Sequence, residues 1–398
     1  MRILHTADWH LGFKTDDLDR MDEQRDALKQ VINLAKEKNV DMVIIAGDIY
    51  DSLIPSSEAE DLFYKTISEL NNNGNTAVIA IAGNHDDPKR LCNANIFANK
   101  FGIFMLGTTD KISIAKPQLD KNIYAIDSGK GYIKFRKQNG EECVLAYLPY
   151  PSYYRFKESK KANDNYSDKV KEWLKPGIGG FEDNTVNILT AHVMAYGIEQ
   201  TKEEQEAYDS ISAINNLVTT ETLYTPAHYT ALGHVHKCVP VNRERNIYYS
   251  GSLINQFFDN SEPTKVIIAD IDAHAGVTNI EKIPLNVKTM GKFEVSSMLH
   301  AEVCCKDNPD KWLKIIVKGI DRVRMEDIKH LRNTYPNLVT LSVLTKEAIQ
   351  TTNVVSKKDL TNSEIFDNFV LRKKGTEPNP DVKELFLELM SEDLYETD

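Results

Sequence analysis

A chain of 398 residues is too long for one compact core, so we expect one large domain with smaller additions. Its 41% apolar and 27% charged residues are ordinary for a globular protein, and no apolar run approaches the roughly 20 residues that a membrane span requires. The formal net charge of −11 argues against a protein that holds a polyanion tightly by itself.

The first 280 residues alternate short apolar runs with amphipathic stretches. Helical spacing of apolar residues predicts helices at residues 21–38 and 55–71, the second opened by Ser57 with Glu60 in a capping-box pattern. Runs rich in β-branched residues predict buried strands at residues 2–7, 41–46, 76–82, 186–190 and 229–232. Strands that alternate with helices predict βαβ units and a largely parallel sheet.

The rest of the chain divides into further segments. Residues 127–149 predict antiparallel strands with a turn at 138–140, and residues 149–168 have the irregular composition of a surface insertion. Strand patterning returns at residues 247–272. A small α/β unit is indicated by strand-like segments at 314–317 and 338–344 around a helix-like segment at 325–334. We therefore expect domains at residues 1–280 and 281–350, followed by a charged helical tail at 351–398.

Polar side chains stand at the carboxyl ends of five predicted strands. They are Asp8 and His10, Asp48 and Asp51, Asn84 and His85, His192, and His234 and His236. Because ligands collect outside the carboxyl ends of strands in open α/β sheets, we expect these side chains to meet at one edge. Carboxylate and imidazole donors without sulfur suit Mn, Fe or Zn better than Ca. The number of donors exceeds the needs of one ion and fits two divalent ions, which can activate water for attack on phosphorus.

Any one of these residues alone is more often a helix cap or a surface residue. Five such motifs in succession favour a shared metal site over five separate structural roles. Glycines precede Asp48, Asn84 and His234, which allows a sharp turn of the backbone at each position.

The motifs at the strand ends resemble those of the calcineurin-like metallophosphoesterase superfamily. They are DWH from Asp8, GDIYD from Gly47, GNHD from Gly83, the isolated His192, and GHVH from Gly233. The segments HTADWHLG, LPYPS, LGHVHK and YYSGS are similar to the bacterial SbcD branch of the break-repair nucleases, over about residues 1–270. The resemblance implies an α/β fold: a β-sandwich flanked by helices, with a small α/β capping domain and a C-terminal helical tail.

The resemblance also implies roles for the residues of these motifs. One metal ion would be held by Asp8, His10, Asp48 and His236. Asp48 would bridge to a second ion held by Asn84, His192 and His234. His85 would face the scissile phosphate and stabilise or protonate the leaving oxygen. We further hypothesise that Asp51 orients His85; the alternative is that Asp51 caps the next helix.

The function that the resemblance implies is a Mn²⁺-dependent nuclease subunit in DNA repair, recombination and replication. It would act as a 3′–5′ exonuclease on duplex ends and as an endonuclease on single strands or hairpins. Partners would be an SbcC-type SMC-like ATPase and a second copy of the chain, in a heterotetramer. The sequence has no Walker-type phosphate loop, which agrees with ATP hydrolysis by the partner. A helix at residues 382–390 is a candidate docking element, and packing on its own domain is the alternative.

Two other functions remain open. The same dimetal site serves phosphatases and cyclic-nucleotide phosphodiesterases, although about 120 additional residues are more than such enzymes usually need. A scaffold that has lost its metal ions is the other alternative, but the ligand set is complete. The first residues lack a basic segment followed by an apolar one, so we expect no secretory signal, a cytoplasmic location, and five cysteines that are reduced structural thiols.

Basic and aromatic residues outside the motifs are ambiguous. The insertion carries Tyr153, Tyr154, Arg155, Phe156, Lys157, Lys160 and Lys161, and Lys237, Arg243 and Arg245 follow the last motif. Such residues could contact a phosphate backbone or stack on bases, or they could belong to a solvated loop with a small aromatic anchor. His5 lies within the first strand, so we expect a core residue there.

Overall fold

The computed structural model describes residues 1–16, 18–116, 119–159, 164–195, 216–258, 262–320 and 323–345, and the single positions 366, 370, 379, 382 and 383. The expected tail at 351–398 and its helix at 382–390 lie outside the described residues apart from those single positions. Within these ranges, no helix combines the length and apolar character needed to cross a membrane.

The described strands are short and the helices lie between them. In chain order the strands are β1 (Arg2–Thr6), β2 (Lys14–Thr15), β3 (Leu18–Asp19), β4 (Met42–Ile45), β5 (Ala77–Ile81), β6 (Ile103–Leu106), β7 (Ile123–Gly129), β8 (Tyr132–Lys137), β9 (Glu142–Leu148), β10 (Val186–His192), β11 (Met194–Ala195), β12 (Leu217–Val218), β13 (Tyr229–Gly233), β14 (Pro240–Asn242), β15 (Ile247–Tyr249), β16 (Lys265–Asp272), β17 (Gly276–Pro284), β18 (Thr289–Val295), β19 (Lys311–Ile320) and β20 (Leu338–Thr345). The helices are α1 (Met21–Glu37), α2 (Ser57–Leu70), α3 (Pro88–Cys92), α4 (Asn95–Ala98), α5 (Tyr153–Phe156), α6 (Tyr166–Ile178), α7 (Met298–Asp307) and α8 (Met325–Thr334), with 3-10 turns at Asn72–Gly74, Asn99–Phe101 and Thr220–Leu223.

Two sheets form the large unit. One has six strands in the order β17-β16-β1-β4-β5-β6, and the other has seven in the order β14-β15-β13-β10-β9-β8-β7. Helices α1 and α2 return the chain between β1, β4 and β5, so these strands pair in parallel, as the predicted βαβ units require. Strands β16 and β17 add antiparallel pairs, and β7, β8 and β9 form the predicted antiparallel segment, beginning earlier than expected.

Alternating side chains of each buried strand belong to different cores. On β4, Met42 and Ile44 belong to the core between the two sheets, whereas Val43 and Ile45 belong to the core beneath α1 and α2. A third core lies between the seven-stranded sheet and α6 and includes Trp173. Strands covered on both faces are apolar at every position, which explains the uninterrupted apolar runs in the sequence. The result is a β-sandwich flanked by helices, which confirms the mixed α/β prediction.

The start of α2 differs in detail from the prediction. The residue that caps the helix is Ser56, whose hydroxyl oxygen accepts a hydrogen bond of 3.2 Å from the Ala59 main-chain N–H. Glu60 does not close a capping box with Ser57; its carboxylate accepts a hydrogen bond of 2.9 Å from Arg90. The predicted cap was therefore wrong by one residue, because two adjacent serines offer the same hydroxyl.

Residues 289–345 form a smaller α/β unit. Its three strands β18, β19 and β20 are parallel, and α7 and α8 connect them. Neither β18 nor α7 was predicted. The apolar residues of α7 are spread around the helix instead of lying on one face, so the sequence shows no amphipathic pattern there. The unit contacts the large one through Trp312, whose indole N–H donates to the Glu23 carboxylate at 2.8 Å and whose ring lies 4.1 Å from the Lys288 ammonium.

The remaining sequence expectations concern single residues. His5 is fully buried between the sheets, as expected. All five cysteines are free thiols. Lys160 and Lys161 of the insertion lie outside the described residues.

Candidate metal centre

The carboxyl ends of strands from both sheets meet at one end of the sandwich. Loops after β1, β4 and β5 carry Asp8, Asp48 and Asn84, and they belong to the six-stranded sheet. Strands β10 and β13 of the seven-stranded sheet end at His192 and just before His234. The sequence predicted one edge of one sheet. The structure brings the residues together across the interface between two sheets.

One group of donors is formed by Asp8, His10, Asp48 and His236. The Nε2 atoms of His10 and His236 face each other at 3.2 Å, and His10 Nε2 lies 3.5 Å from Asp48 Oδ2. Donor atoms of Asp8, His10 and His236 all lie within 4.8 Å of one another. The four side chains are buried or nearly so.

A second group is formed by Asp48, Asn84, His192 and His234. His234 Nδ1 lies 3.2 Å from His192 Nε2, and Asn84 Oδ1 lies 2.8 Å from the first of these atoms and 3.0 Å from the second. The Oδ2 atom of Asp48 is 3.3 Å from His192 Nε2, so the same carboxylate oxygen borders both groups.

These contacts fit divalent cations. In each group two imidazole nitrogens face each other. A hydrogen bond between two neutral rings needs a proton on one of these nitrogens and a lone pair on the other. A cation between them would accept both lone pairs, at the spacing that ligands of one ion have. The outer atoms support this role: His192 Nδ1 donates to the Ala46 carbonyl at 2.8 Å, which directs its Nε2 towards the other donors. The residues present therefore fit two ions with nitrogen and oxygen ligands.

The main chain of the ligand loops is held in an uncommon conformation. Asp8, His10, Asp48 and His234 have φ angles of 51°, 44°, 49° and 101°. Non-glycine residues with positive φ cost of the order of 1–3 kcal/mol each, and they persist where the surrounding structure demands them. Such residues cluster at functional sites.

Glycines allow the loops to approach one another closely. A Cβ atom at Gly47 would collide with the His192 ring, and one at Gly83 would collide with the Asp48 carboxylate. Gly47 also has a φ of 97°, which side chains rarely adopt. These glycines therefore have two roles. They allow the sharp turns that we predicted, and they allow the ligands to pack closely.

Burial and neighbouring charge divide the histidines into two kinds. Burial lowers the pKa of His234 to about 3 and that of His236 well below its usual value, so both rings are neutral. Burial also opposes the charged form of His192, but the adjacent Asp48 carboxylate outweighs it and raises the pKa of His192 to about 9. The proton therefore lies on His192 beside the ionised Asp48 carboxylate, and a metal ion that bound to His192 Nε2 would displace it.

His85 lies beside the two groups of donors. Its main-chain N–H donates to Asp48 Oδ1 at 2.9 Å, and its Nδ1 donates to the main-chain carbonyl of Asp51 at 2.8 Å. Because a carbonyl only accepts, Nδ1 carries the proton and Nε2 is left for the site. The ring centroids of His85 and His10 are 4.7 Å apart.

The position of Asp51 corrects our hypothesis about its side chain. The contact with His85 comes from the Asp51 carbonyl and not from the carboxylate, whose Oδ1 lies 3.5 Å from His10 Nδ1. The alternative, a cap for the next helix, is also wrong, since Ser56 caps α2. Asp51 therefore borders the first group of donors through its carboxylate and orients His85 through its main chain.

Two residues that support the site were not predicted from the sequence. The Asp86 carboxylate is fully buried and accepts main-chain hydrogen bonds of 3.1, 3.0 and 2.8 Å from Ile49, Tyr50 and Gly83. It thereby joins the loop after β4 to the loop after β5. The sequence feature that could have indicated this role is an acidic residue directly after His85. The second residue is Gln24 on α1, which no motif includes.

The insertion after Pro149 contacts the loop that carries Asn84 and His85. The Arg155 guanidinium donates to the main-chain carbonyls of Gly83 and Asp86 at 2.9 and 2.8 Å, which favours a structural role over DNA contact. Phe156 stacks on Trp173 with 4.3 Å between ring centroids, whereas Tyr154 is exposed. Near the last motif, Arg245 lies 4.4 Å from the Tyr224 ring and Arg243 is exposed.

Comparison with known proteins identifies a family that this chain matches. The model of the calcineurin-like phosphoesterase family matches residues 1–238. The SbcD subunit of the nuclease SbcCD of Bacillus subtilis (strain 168) is 29% identical over 411 residues, which covers 98% of this chain and 98% of that protein.

Solved structures resemble the chain more remotely. A protein of Thermus thermophilus is 12% identical with a TM-score of 0.37, covering 71% of this chain and 98% of that one. GAP50, the anchor in the inner membrane complex of Plasmodium, is 12% identical with a TM-score of 0.36, covering 91% of this chain and 99% of that one. Likenesses of this size carry no conclusion about activity. Because the family match extends over more than half of the sequence and includes every strand end that carries a candidate ligand, the chain belongs to the calcineurin-like phosphoesterase family.

Proposed function

We propose that this protein is a Mn²⁺-dependent DNA nuclease and the nuclease subunit of an SbcCD-type complex. It cleaves duplex ends as a 3′–5′ exonuclease and single strands or hairpins as an endonuclease, in DNA repair, recombination and replication. The observation that carries the proposal is the pair of donor groups that share Asp48 Oδ2. The nuclease subunit from Bacillus subtilis, which aligns over nearly the whole of both chains, supports the choice of DNA as substrate.

The proposed ligands form two sets, one for each group of donors. We assign Asp8, His10, Asp48 and His236 to one ion, and Asp48, Asn84, His192 and His234 to the other. When bound, two such ions supply Lewis acidity at the phosphate and lower the pKa of a water for attack. The protein contributes rigid placement, since the outer hydrogen bonds fix the tautomer of His192 and the orientation of Asp48.

We assign His85 to proton transfer at the leaving oxygen. Its Nδ1–H is held by the Asp51 carbonyl, so the ring cannot turn without losing that hydrogen bond. Its Nε2, when protonated, donates to the oxygen that leaves phosphorus. Proton transfer by a positioned side chain of this kind contributes a factor of about 10²–10⁴ in rate.

The proposed partners follow from charge and exposed surface. A chain with a net charge of −11 gains affinity for DNA from a partner, and we propose an SbcC-type ATPase in that role, acting in the cytoplasm. The unit at 281–350 would be the capping domain that limits access of DNA, and the tail at 351–398 would bind the ATPase. We also propose a homodimer, because Ile96, Phe97 and Phe101 of the large unit are exposed within six residues of chain.

A hairpin assay tests the proposed activity. The protein, alone and in complex with the ATPase partner, is given a 3′-labelled DNA hairpin in Mn²⁺ or Mg²⁺, beside His85→Ala and the control His274→Ala. His274 is exposed on a turn of the large unit. We expect cleavage in Mn²⁺, a loss of about 10²–10⁴-fold in His85→Ala with unchanged Mn²⁺ binding, and wild-type cleavage by the control.

Two results would contradict the proposal. Equal cleavage by wild type and His85→Ala would remove the assigned catalytic role. Hydrolysis of a small chromogenic phosphodiester or a cyclic nucleotide, without cleavage of any DNA substrate, would replace the nuclease by a small-molecule phosphodiesterase.

A further inference from the structure

We propose that Gln24 is a positioning residue for the first metal ion: it holds the loop that carries His10 in its ligand-binding shape. This inference rests on the proposed function of the metal centre. Gln24 itself is not a ligand. It belongs to α1, and its side chain is fully buried.

The Gln24 amide binds three main-chain groups of that loop. Its Nε2 donates to the carbonyls of Trp9 and His10 at 3.0 and 2.7 Å, and its Oε1 accepts from the Gly12 N–H at 3.1 Å. Both protons of the amide nitrogen and the amide oxygen are therefore used. Of the common side chains, only a primary amide of this length offers two donors and an acceptor together.

The loop needs such support because its main chain is not in a relaxed conformation. His10 has a φ of 44°, and its N–H donates to the Asp48 carbonyl at 3.0 Å while Leu11 N–H donates to Ile49 at 2.9 Å. These bonds hold one side of the loop against the segment that carries the shared carboxylate. Gln24 holds the opposite side, where the His10 carbonyl also accepts from the Phe13 N–H at 2.9 Å; without the amide, that local turn alone would hold the His10 carbonyl and the ring could withdraw more easily.

Helix α1 supplies a rigid base for the amide. Gln24 lies in its first turn, and Ala27, Leu28 and Val31 pack into the core beneath the six-stranded sheet. Movement of the amide would require movement of this packed helix. The position of His10 Nε2, 3.2 Å from His236 Nε2, is therefore set partly by a residue in a different element.

The same helix offers a matched control. Gln30 makes the same kind of two-way contact with the main chain: its Nε2 donates to the Asn286 carbonyl at 3.0 Å and its Oε1 accepts from the Asn286 N–H at 2.8 Å. Asn286 lies outside both donor groups. Gln30→Met thus removes an amide with comparable partners and leaves the His10 loop untouched.

Mn²⁺ binding to the full chain is measured by calorimetry and by the rise of Tm on addition of Mn²⁺. We expect Gln24→Met to weaken one of two Mn²⁺ sites by about 10–100-fold, as loss of outer contacts to metal ligands does. The other site and Gln30→Met should bind as wild type does. Gln24→Glu, which keeps the acceptor for Gly12 and loses the donors to the carbonyls, should also weaken one site.

The outcomes separate the two proposals. If wild type binds two Mn²⁺ ions and both Gln24 variants bind them equally well, the positioning role is overturned and the metal centre stands. If Gln24→Met and Gln30→Met weaken binding alike, the effect is one of general stability and the role is again overturned. A wild type that binds no divalent cation overturns the proposed function and this inference with it.

Discussion

His5 is a buried histidine between the two sheets, outside both donor groups. Its Nδ1 lies 3.0 Å from the Tyr229 hydroxyl and its Nε2 lies 3.0 Å from the Leu232 carbonyl. Burial lowers the pKa of His5 to about 3, from a usual value near 6.5. The folded protein therefore keeps this ring neutral at a pH where the unfolded chain protonates it.

This difference predicts a dependence of stability on pH. The contribution of neutral His5 is fully present above about pH 6.5, and it is lost as the pH falls from there towards 3, with a slope of about 1.4 kcal/mol per pH unit. Urea unfolding of metal-free wild type and His5→Gln, between pH 7.5 and 5, measures it. We expect a shallower pH dependence in the variant. Parallel curves would show that His5 is not the titrating group.

Among the elements, α5 of the insertion has the most direct effect on the candidate centre. Its Arg155 binds the carbonyls on both sides of Asn84 and His85, and Ser152 caps the helix by accepting from the Arg155 N–H at 3.2 Å. A short helix thereby adds two hydrogen bonds to a loop that Asp86, Asp48 and the Asp51 carbonyl also hold.

Arg155→Met distinguishes a structural role from DNA contact. Loss of the guanidinium leaves buried carbonyls without their donor, so we expect a decrease of about 1–3 kcal/mol in the free energy of unfolding and reduced cleavage. Lys157→Met, which removes an exposed cation two residues away, should change neither. Unchanged stability with weaker DNA binding in Arg155→Met would favour the contact role.

At the scale of the whole molecule, one exposed apolar segment stands out. On the segment at 95–101, Ile96 is 71% exposed and Phe97 is 70% exposed, although both are large and apolar. Burial of such side chains stabilises an interface by about 1.5–3 kcal/mol each, and a two-fold axis would bury them in both copies.

Phe97→Asp tests the proposed dimer. We expect wild type to have the mass of a dimer in light scattering after size exclusion and Phe97→Asp to be a monomer, since a carboxylate in an apolar interface is costly. Leu299→Asp on the small unit, where Leu299 is 69% exposed, should remain a dimer. A monomeric wild type, or a dimer in both variants, would contradict the proposed interface.

Local patterns predicted much of this molecule. The apolar runs located the strands around the centre, and the polar residues at their ends do converge. Sheet membership was not predictable, because β10 and β13 have the same apolar pattern as β1 and β4. Membership depends on pairing between distant segments, which no local pattern records.

Contacts between side chains and main-chain groups were also not predictable from the sequence. Gln24 and Arg155 bind carbonyl oxygens, which every residue has, so their partners leave no mark in the sequence. Asp51 shows the same limit, since its carbonyl and not its side chain orients His85. The unpredicted helix α7 lacks a single apolar face.

The origin of the donors in two sheets has a consequence for the stage of folding at which the candidate site can form. Asp8 leaves a ribosome long before His236 does, yet both belong to one group of donors. The six-stranded sheet that carries Asp8, Asp48 and Asn84 also includes β16 and β17, which follow His236 in the chain, so neither donor group can be assembled on a completed sheet until nearly the whole large unit is present. Assembly of either donor group therefore depends on pairing between segments from both ends of the large unit, and not on the folding of one sheet alone.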